Sequence, residues 1–233
     1  MESLAPGGLA IVIGASGGIG GALARALGRS GHFAAVIGLG RQSVPTLDLC
    51  VESSIAAAAE HVAGMGIPRL ILAATGGLQG ERLLAEKSWR ELEAGAMATA
   101  FAINAIGPAL IMKHFLPLLP REGKSVFAAL SARVGSIGDN RLGGWYSYRA
   151  SKAALNQLVR TAAVELRRNQ PAALCLALHP GTVDTRLSAP FRKAGLAVQT
   201  PDDAATGLLA VIDRLGPGDS GGFFDHRGVP VPW

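Results

Sequence analysis

"VIGASGGIG", Val12 to Gly20, follows a short apolar run, Leu9 to Ile13, and leads into a stretch with helical spacing, Gly18 to Arg29. Its glycines at 14, 18 and 20 allow a tight turn from strand to helix, let a pyrophosphate approach the backbone, and bring helix and strand close together. The helix N-terminus then faces the phosphates, where unpaired amides and the helix dipole favour negative charge. Such turns are common as mere connections, so the reading depends on what surrounds this one. Phe33 to Gly38, Thr46 to Leu49, Leu70 to Ala74, Ser125 to Leu130, Leu174 to Leu178 and Gly222 to Phe224 read as further strands. Most are separated by helix-like stretches: Glu52 to Ala63, Ser88 to Leu119, Tyr148 to Arg168 and Pro201 to Arg214. Near-continuous apolar strands divided by helices are what a parallel sheet covered on both faces requires. The pattern predicts a doubly wound α/β sheet whose first strand ends in the glycine-rich turn. One connection is too short. Only Leu39 to Pro45 joins the second expected strand to the third, whereas a parallel crossover needs about a dozen residues or more, so the usual helix is expected to be missing there.

The chain of 233 residues, 49% hydrophobic with 31 glycines, suffices for one well-buried core and is short for two full domains. A single domain is expected, with a dinucleotide-binding half over about 1–120 and a catalytic half over about 121–233. No apolar run approaches the length of a membrane span and the first residues lack a secretory signal pattern, which predicts a cytoplasmic protein away from membranes. Cys50 and Cys175 both stand in apolar sequence and read as small buried hydrophobes, with no metal site. The net charge of +5 is scattered and only 5% of residues are aromatic, so nucleic-acid binding finds no support. An anionic small molecule would explain some of the basic residues equally well.

The end of the second strand selects the cofactor. A dinucleotide site places there either an acid for the ribose 2′-hydroxyl or an arginine for a 2′-phosphate. The residues are Gly40, Arg41, Gln42 and Ser43, with no acid from Phe33 to Ser43. NADP(H) is therefore expected over NAD(H), the plain alternative being a solvated surface arginine. Asp48 is a candidate adenine contact, or else caps the next turn.

"GGWYSYRASK", 143–152, contains the only two tyrosines. On a helix Tyr148 and Lys152 are four apart and share a face, whereas four residues after Tyr146 comes Ala150. A phenol titrates near pH 10; an adjacent ammonium stabilises the phenolate and makes it a usable proton donor and acceptor. Tyr148 is thus the expected acid/base.

Taken together, GASGGIG at 14–20, Asn104 in a long helix, Ser131 after the Ser125 to Leu130 strand, Tyr148-x-x-x-Lys152 and "HPGTVDT" at 179–185 make the chain resemble the short-chain dehydrogenase/reductase family over nearly its whole length. "SARVGSIGDNRLGGWYSYRASKAALN" and "GGFFDHRGVPVPW" resemble the branch with C-factor signalling proteins and sniffer-type carbonyl reductases. The resemblance implies a Rossmann-type sheet of seven parallel strands and roles for particular residues. Tyr148 would be the general acid in carbonyl reduction, and Lys152 would lower its pKa and hold the nicotinamide ribose. Asn104 would hold a water relaying protons to solvent, unless its amide simply satisfies buried backbone. Cofactor contacts would come from Gly14, Ser16, Gly17, Gly18, Ile19 and Gly20 in the turn, and from Arg41, Ser43, Asp48 and Leu49 at the adenine end. Ala74, Thr75 and Gly76 would lie along the adenosine, and Pro180, Gly181, Val183 and Thr185 against the nicotinamide.

Three departures from the family pattern stand out. The second of the usual two serines is Ala132, so either Ser131 or Ser136 supplies the substrate-orienting hydroxyl, or none does; Ser131 is favoured. The turn Asn-Asn-Ala-Gly is replaced by Ala73-Ala74-Thr75-Gly76, with Thr75 substituting in part. The shortened connection after Arg41 should expose the adenine end. The expected function is hydride transfer between NADP(H) and a small carbonyl/alcohol pair. The alternative is a nucleotide-binding signalling or regulatory protein with little turnover, which Ala132 favours. The segment Arg186 to Gln199, expected to cover the substrate, carries no pattern that names it. Oligomeric state stays open, a homodimer or homotetramer being admitted.

Overall fold

A computed structural model describes residues 1–191 and 198–233. Five residues of β1 (Leu9–Ile13) are all buried, and the same holds for most of β3 (Pro68–Ala73), β4 (Ser125–Leu130) and β5 (Ala173–His179). Strands apolar on both faces must be covered twice, and they are. Ile11, Phe127 and Cys175 face α2 (Glu52–Met65), α4 (Gly107–Phe115) and α5 (Tyr146–Asn169) across one core. Val12, Val126 and Leu176 face α1 (Gly18–Ser30) and α6 (Pro201–Arg214) across the other.

The sheet is parallel throughout, in the order β2-β1-β3-β4-β5-β6, with β2 at Ala35–Leu39 and β6 at Phe223–Asp225. Among the described residues it has six strands rather than seven. Thr46 to Leu49 is not a strand: of the four only Leu47 is buried, and its N–H returns to the carbonyl of Gly40 within a turn. The crossover from β2 to β3 therefore spans residues 40–67 and contains α2, so it has ordinary length. What is lacking among the described residues is an edge strand together with its helix, which leaves β2 as a half-exposed edge.

The long helix begins later than its spacing suggested. Residues 89–91 form a separate turn, and the continuous helix opens with α3 (Ala94–Phe101), passes through a π-helical turn (Ala102–Ile106) and ends in α4. Contrary to the sequence expectation, the run Ala94–Leu118, which contains an 18-residue window of mean hydropathy 1.6, is long and apolar enough to cross a membrane. Here Ile111, Met112 and Phe115 on it pack into the core beneath the sheet.

Strand order reverses between β1 and β3, the point where α/β sheets open a crevice at the carboxyl ends of their strands. The glycine-rich turn, the turn after β2 and the segment after β3 all meet there.

Candidate active site

Close packing explains the glycine pattern. Gly14 has φ +89°, and a Cβ on it would stand 2.6 Å from the Ala74 carbonyl oxygen. On Gly20 a Cβ would stand 2.2 Å from the Gly14 oxygen. Gly17 occupies the N-cap of α1 without a side-chain cap, so the first amides of that helix face outward beside exposed Ser16, Gly17 and Gly18. Ile19 turns the other way, into the core shared with α6. A Cβ on Gly18 would meet Thr185 Cγ2 at 2.8 Å, so the loop after β5 rests on the start of α1.

These elements enclose a cavity of about 490 Å³. Gly14, Ser16 and Gly17 form one wall, Gly40, Arg41, Asp48 and Leu49 the far end, and Ala74, Thr75 and Gly76 the side next to Ile103. Thr75 Oγ1 lies buried there without a hydrogen-bond partner, an unusual state that a polar ligand would relieve. Ser43 does not line the cavity. Its hydroxyl accepts from the Gly40 N–H at 3.0 Å and lies 2.7 Å from the Pro45 oxygen, closing the turn after β2. Asp48 caps the following turn by accepting the Cys50 N–H at 2.8 Å, and its carboxylate still borders the cavity. Cys50, expected in the core, is exposed at the same rim because Asp48 turns the chain outward there; Cys175 is buried.

On α5, Tyr148, Lys152 and Asn156 follow at intervals of four residues, and all three are buried. Lys152 Nζ lies 5.9 Å from the centroid of the Tyr148 ring and donates to the Leu130 carbonyl at 2.8 Å. Burial pushes the ammonium down to about 8 and holds the phenol above its ordinary range. The Tyr148 hydroxyl has no hydrogen-bond partner among the described residues.

Asn104 sits in the π-helical turn, which projects it toward β3. Its Oδ1 accepts from the Gly77 N–H and its Nδ2 donates to the Gly77 carbonyl, each at 2.8 Å, with a further bond to Ser151 Oγ at 3.2 Å. The amide thus satisfies partly buried backbone, close to the simpler of its two sequence readings. A Cβ on Gly76 would stand 3.2 Å from Lys152 Nζ and 3.3 Å from Asn104 Oδ1, so both side chains converge on the cavity wall.

Ser131 departs from expectation. Its hydroxyl donates to Asn156 Oδ1 at 2.6 Å, and Asn156 lies two helical turns, roughly 12 Å along the axis, beyond Tyr148. Its one proton is engaged on the core side. Ser136 is buried and accepts from the Asp139 N–H at 3.1 Å.

The loop after β5 is built on Gly181 (φ +78°) and pinned by Gln199, whose Nε2 donates to the Pro180 carbonyl at 2.7 Å; Val183 is buried and bridges to Gln199. Of the expected substrate cover, 192–197 lie outside the described residues. Sequence reading missed the supporting set. Asn156 and Gln199 carry no motif, and Arg149, inside "WYSYRASK", binds the carbonyls of Gly144 at 2.9 Å and Val134 at 3.2 Å, fastening the loop before α5.

Comparison with known proteins agrees with this geometry. The chain is 41% identical over 137 residues to the C-signal of Myxococcus xanthus, covering 59% of this chain and 78% of that one. It is 40% identical over 131 residues to the 1-hydroxy-2-glutathionyl-2-methyl-3-butene dehydrogenase of Rhodococcus sp. (strain AD45), covering 56% of each, so the match spans little more than half of that enzyme. The NADPH-bound carbonyl reductase from chicken fatty liver superposes with a TM-score of 0.82 at 26% identity over 99% of both chains. A family model described as enoyl-(acyl carrier protein) reductase matches residues 14–206, from the first glycine of the turn into α6. A match of that extent, which takes in both the turn and the Tyr148 helix, means that the chain belongs to the short-chain dehydrogenase/reductase family of oxidoreductases.

Proposed function

We propose that this protein is an NADPH-dependent oxidoreductase acting on a small carbonyl/alcohol pair, with Tyr148 as the general acid and base. The observation that carries the reading is a buried phenol with an unengaged hydroxyl, backed by a buried ammonium, beside a cavity shaped for a dinucleotide. The residues fit that cofactor. The free amides of α1 suit a pyrophosphate, exposed Arg41 at the far end suits a 2′-phosphate, and Thr75 Oγ1 lacks a partner until a ligand supplies one. The NADPH-bound state of the chicken carbonyl reductase supports the same choice.

NADPH, when held by these residues, would supply the hydride. Tyr148 donates its proton to the carbonyl oxygen as that oxygen becomes negative, and takes it back in the reverse direction. Lys152, near 8 in its buried place, is mostly charged at neutral pH and stabilises the phenolate left behind. Asn104 holds Gly77, and through it the wall that Lys152 faces.

A second reading has its own observation. With Ala132 at the usual serine position and the Ser131 proton engaged by Asn156, an oxyanion donor is missing, which suits a nucleotide-binding regulatory protein with little turnover. The C-signal relationship is in keeping with it. The deciding experiment is a panel of aldehydes, ketones and quinones assayed with NADPH. Turnover is expected, with Tyr148→Phe lowering kcat by about 10² to 10⁴ while NADPH still binds, and Tyr146→Phe mild. A chain that binds NADPH and reduces nothing in the panel overturns the enzyme reading in favour of the second.

A further inference from the structure

The first turn of α5 carries Tyr148, yet α5 does not cap itself. Trp145, at its N-cap, has left-handed backbone (φ 52°, ψ 44°) and makes no side-chain capping bond. A conventional N-cap is extended and supplies its own oxygen. The acceptor comes instead from Glu86, on the segment between β3 and α3. Its Oε2 accepts the Ser147 N–H at 3.2 Å, its Oε1 accepts the Ser147 hydroxyl, and its main-chain carbonyl accepts the Trp145 N–H.

Glu86 is 1% exposed. Among the described residues no lysine or arginine pairs with it; its charge rests on these donors and on the positive end of α5. A buried carboxylate is a costly cap where a local serine or aspartate would serve. Its location explains the choice. Gly143, Gly144 and Trp145 all have positive φ, and a Cβ on Gly144 would stand 3.3 Å from the Glu86 carbonyl oxygen, so this residue braces the bend that turns the chain into α5. The two residues it grips lie on either side of Tyr146, and one of them, Trp145, packs edge-on against the Tyr148 ring at 6.3 Å.

We propose that Glu86 is the positioning residue of Tyr148, fixing through Ser147 and Trp145 the rotation of the first turn of α5 and hence the aim of the phenol. The inference rests on Tyr148 as the proton donor. Glu86 touches neither substrate nor cofactor in this role. Its charge has a second effect: an anion bonded to the residue next to Tyr148 disfavours the phenolate, so its removal makes the phenol easier to ionise.

Because the chain has only two tyrosines, a Tyr146→Phe background lets ultraviolet tyrosinate absorbance report Tyr148 alone. In that background Glu86→Gln is expected to lower kcat about tenfold or more, since small misplacements of a reacting group are that costly. Affinity for NADPH should stay within about twofold and the tyrosinate midpoint should fall. Ser147→Ala should act in the same direction, the double variant should be no worse than Glu86→Gln, and Glu86→Asp should recover part of the loss. A folded Glu86→Gln chain with unchanged kcat and midpoint overturns the proposal; if Glu86→Gln does not fold, the same result for Ser147→Ala does so. Tyr148→Phe separates the two levels. Retained turnover there removes the role of Tyr148 itself, whereas an inactive Tyr148→Phe beside normal Glu86 and Ser147 variants removes only the positioning role.

Discussion

Lys152 ties activity and stability to pH in opposite directions. Burial lowers its ammonium from 10.5 to about 8, so above pH 8 the folded chain loses a proton that the unfolded chain keeps. Carbonyl reduction should therefore decline on the alkaline side with a midpoint near 8, as the charge supporting the phenolate disappears. Stability runs the other way: the unfolded chain binds more protons from pH 8 upward, so the penalty of burying the ammonium is relieved. Cys175, raised from 9 to about 12, and Tyr148, raised above its usual 10, favour the folded chain's protonated forms, so Cys175 cancels the rise above pH 9 and Tyr148 reverses it above pH 10. Urea unfolding at pH 7, 8 and 9 should show the rise in wild type and a flatter response in Lys152→Met; identical slopes would mean that Lys152 is not a buried ammonium. The Tyr148/Lys152 pair was legible because spacing on a helix fixes its geometry. The Ser131 hydroxyl was not, because its direction depends on Asn156, which meets it only in the fold.

At the scale of elements, the π-helical turn between α3 and α4 is what no spacing announced. A single residue's extra width there sets Asn104 against Gly77, and the side chain acts as a clasp between the helix and the end of β3. Replacing it by alanine would leave the Gly77 N–H and carbonyl without their partner. Each partly buried group left unpaired costs about 1–2 kcal/mol, so Asn104→Ala is expected to lose about 2–4 kcal/mol in urea unfolding and to loosen the cavity wall facing Lys152. A loss below about 0.5 kcal/mol would show that the clasp is dispensable and would return Asn104 to a proton-relay role. The misread third strand has a similar origin. Thr46 to Leu49 alternates like an edge strand, but Asp48 and Ser43 bind their own turns and leave no ladder to join.

For the whole molecule, the missing edge strand and the cofactor choice meet at Arg41. The sheet stops at β2, and residues 40–51 fold back beside it, with Leu49 seated so tightly on α4 that a Cβ on Gly107 would stand 2.8 Å from the leucine Cβ. Asp48, Leu49 and Cys50 therefore wall the far end of the cavity where other sheets would place a helix, and Arg41 stays exposed at its mouth. An arginine held on so short a turn can meet a 2′-phosphate with both guanidinium nitrogens, a contact of about 1.5–3 kcal/mol. Ligand that binds only the folded chain adds about 2.7 kcal/mol at a hundredfold excess over Kd, which at this length raises Tm by roughly 5–11 °C. NADPH should produce that shift in wild type. In Arg41→Ala at the same concentration most of the NADPH shift should vanish, while the smaller shift given by NADH should be unchanged. Equal loss with both cofactors would mean that Arg41 supports the turn rather than the phosphate, and a larger wild-type shift with NADH would overturn the NADPH assignment itself.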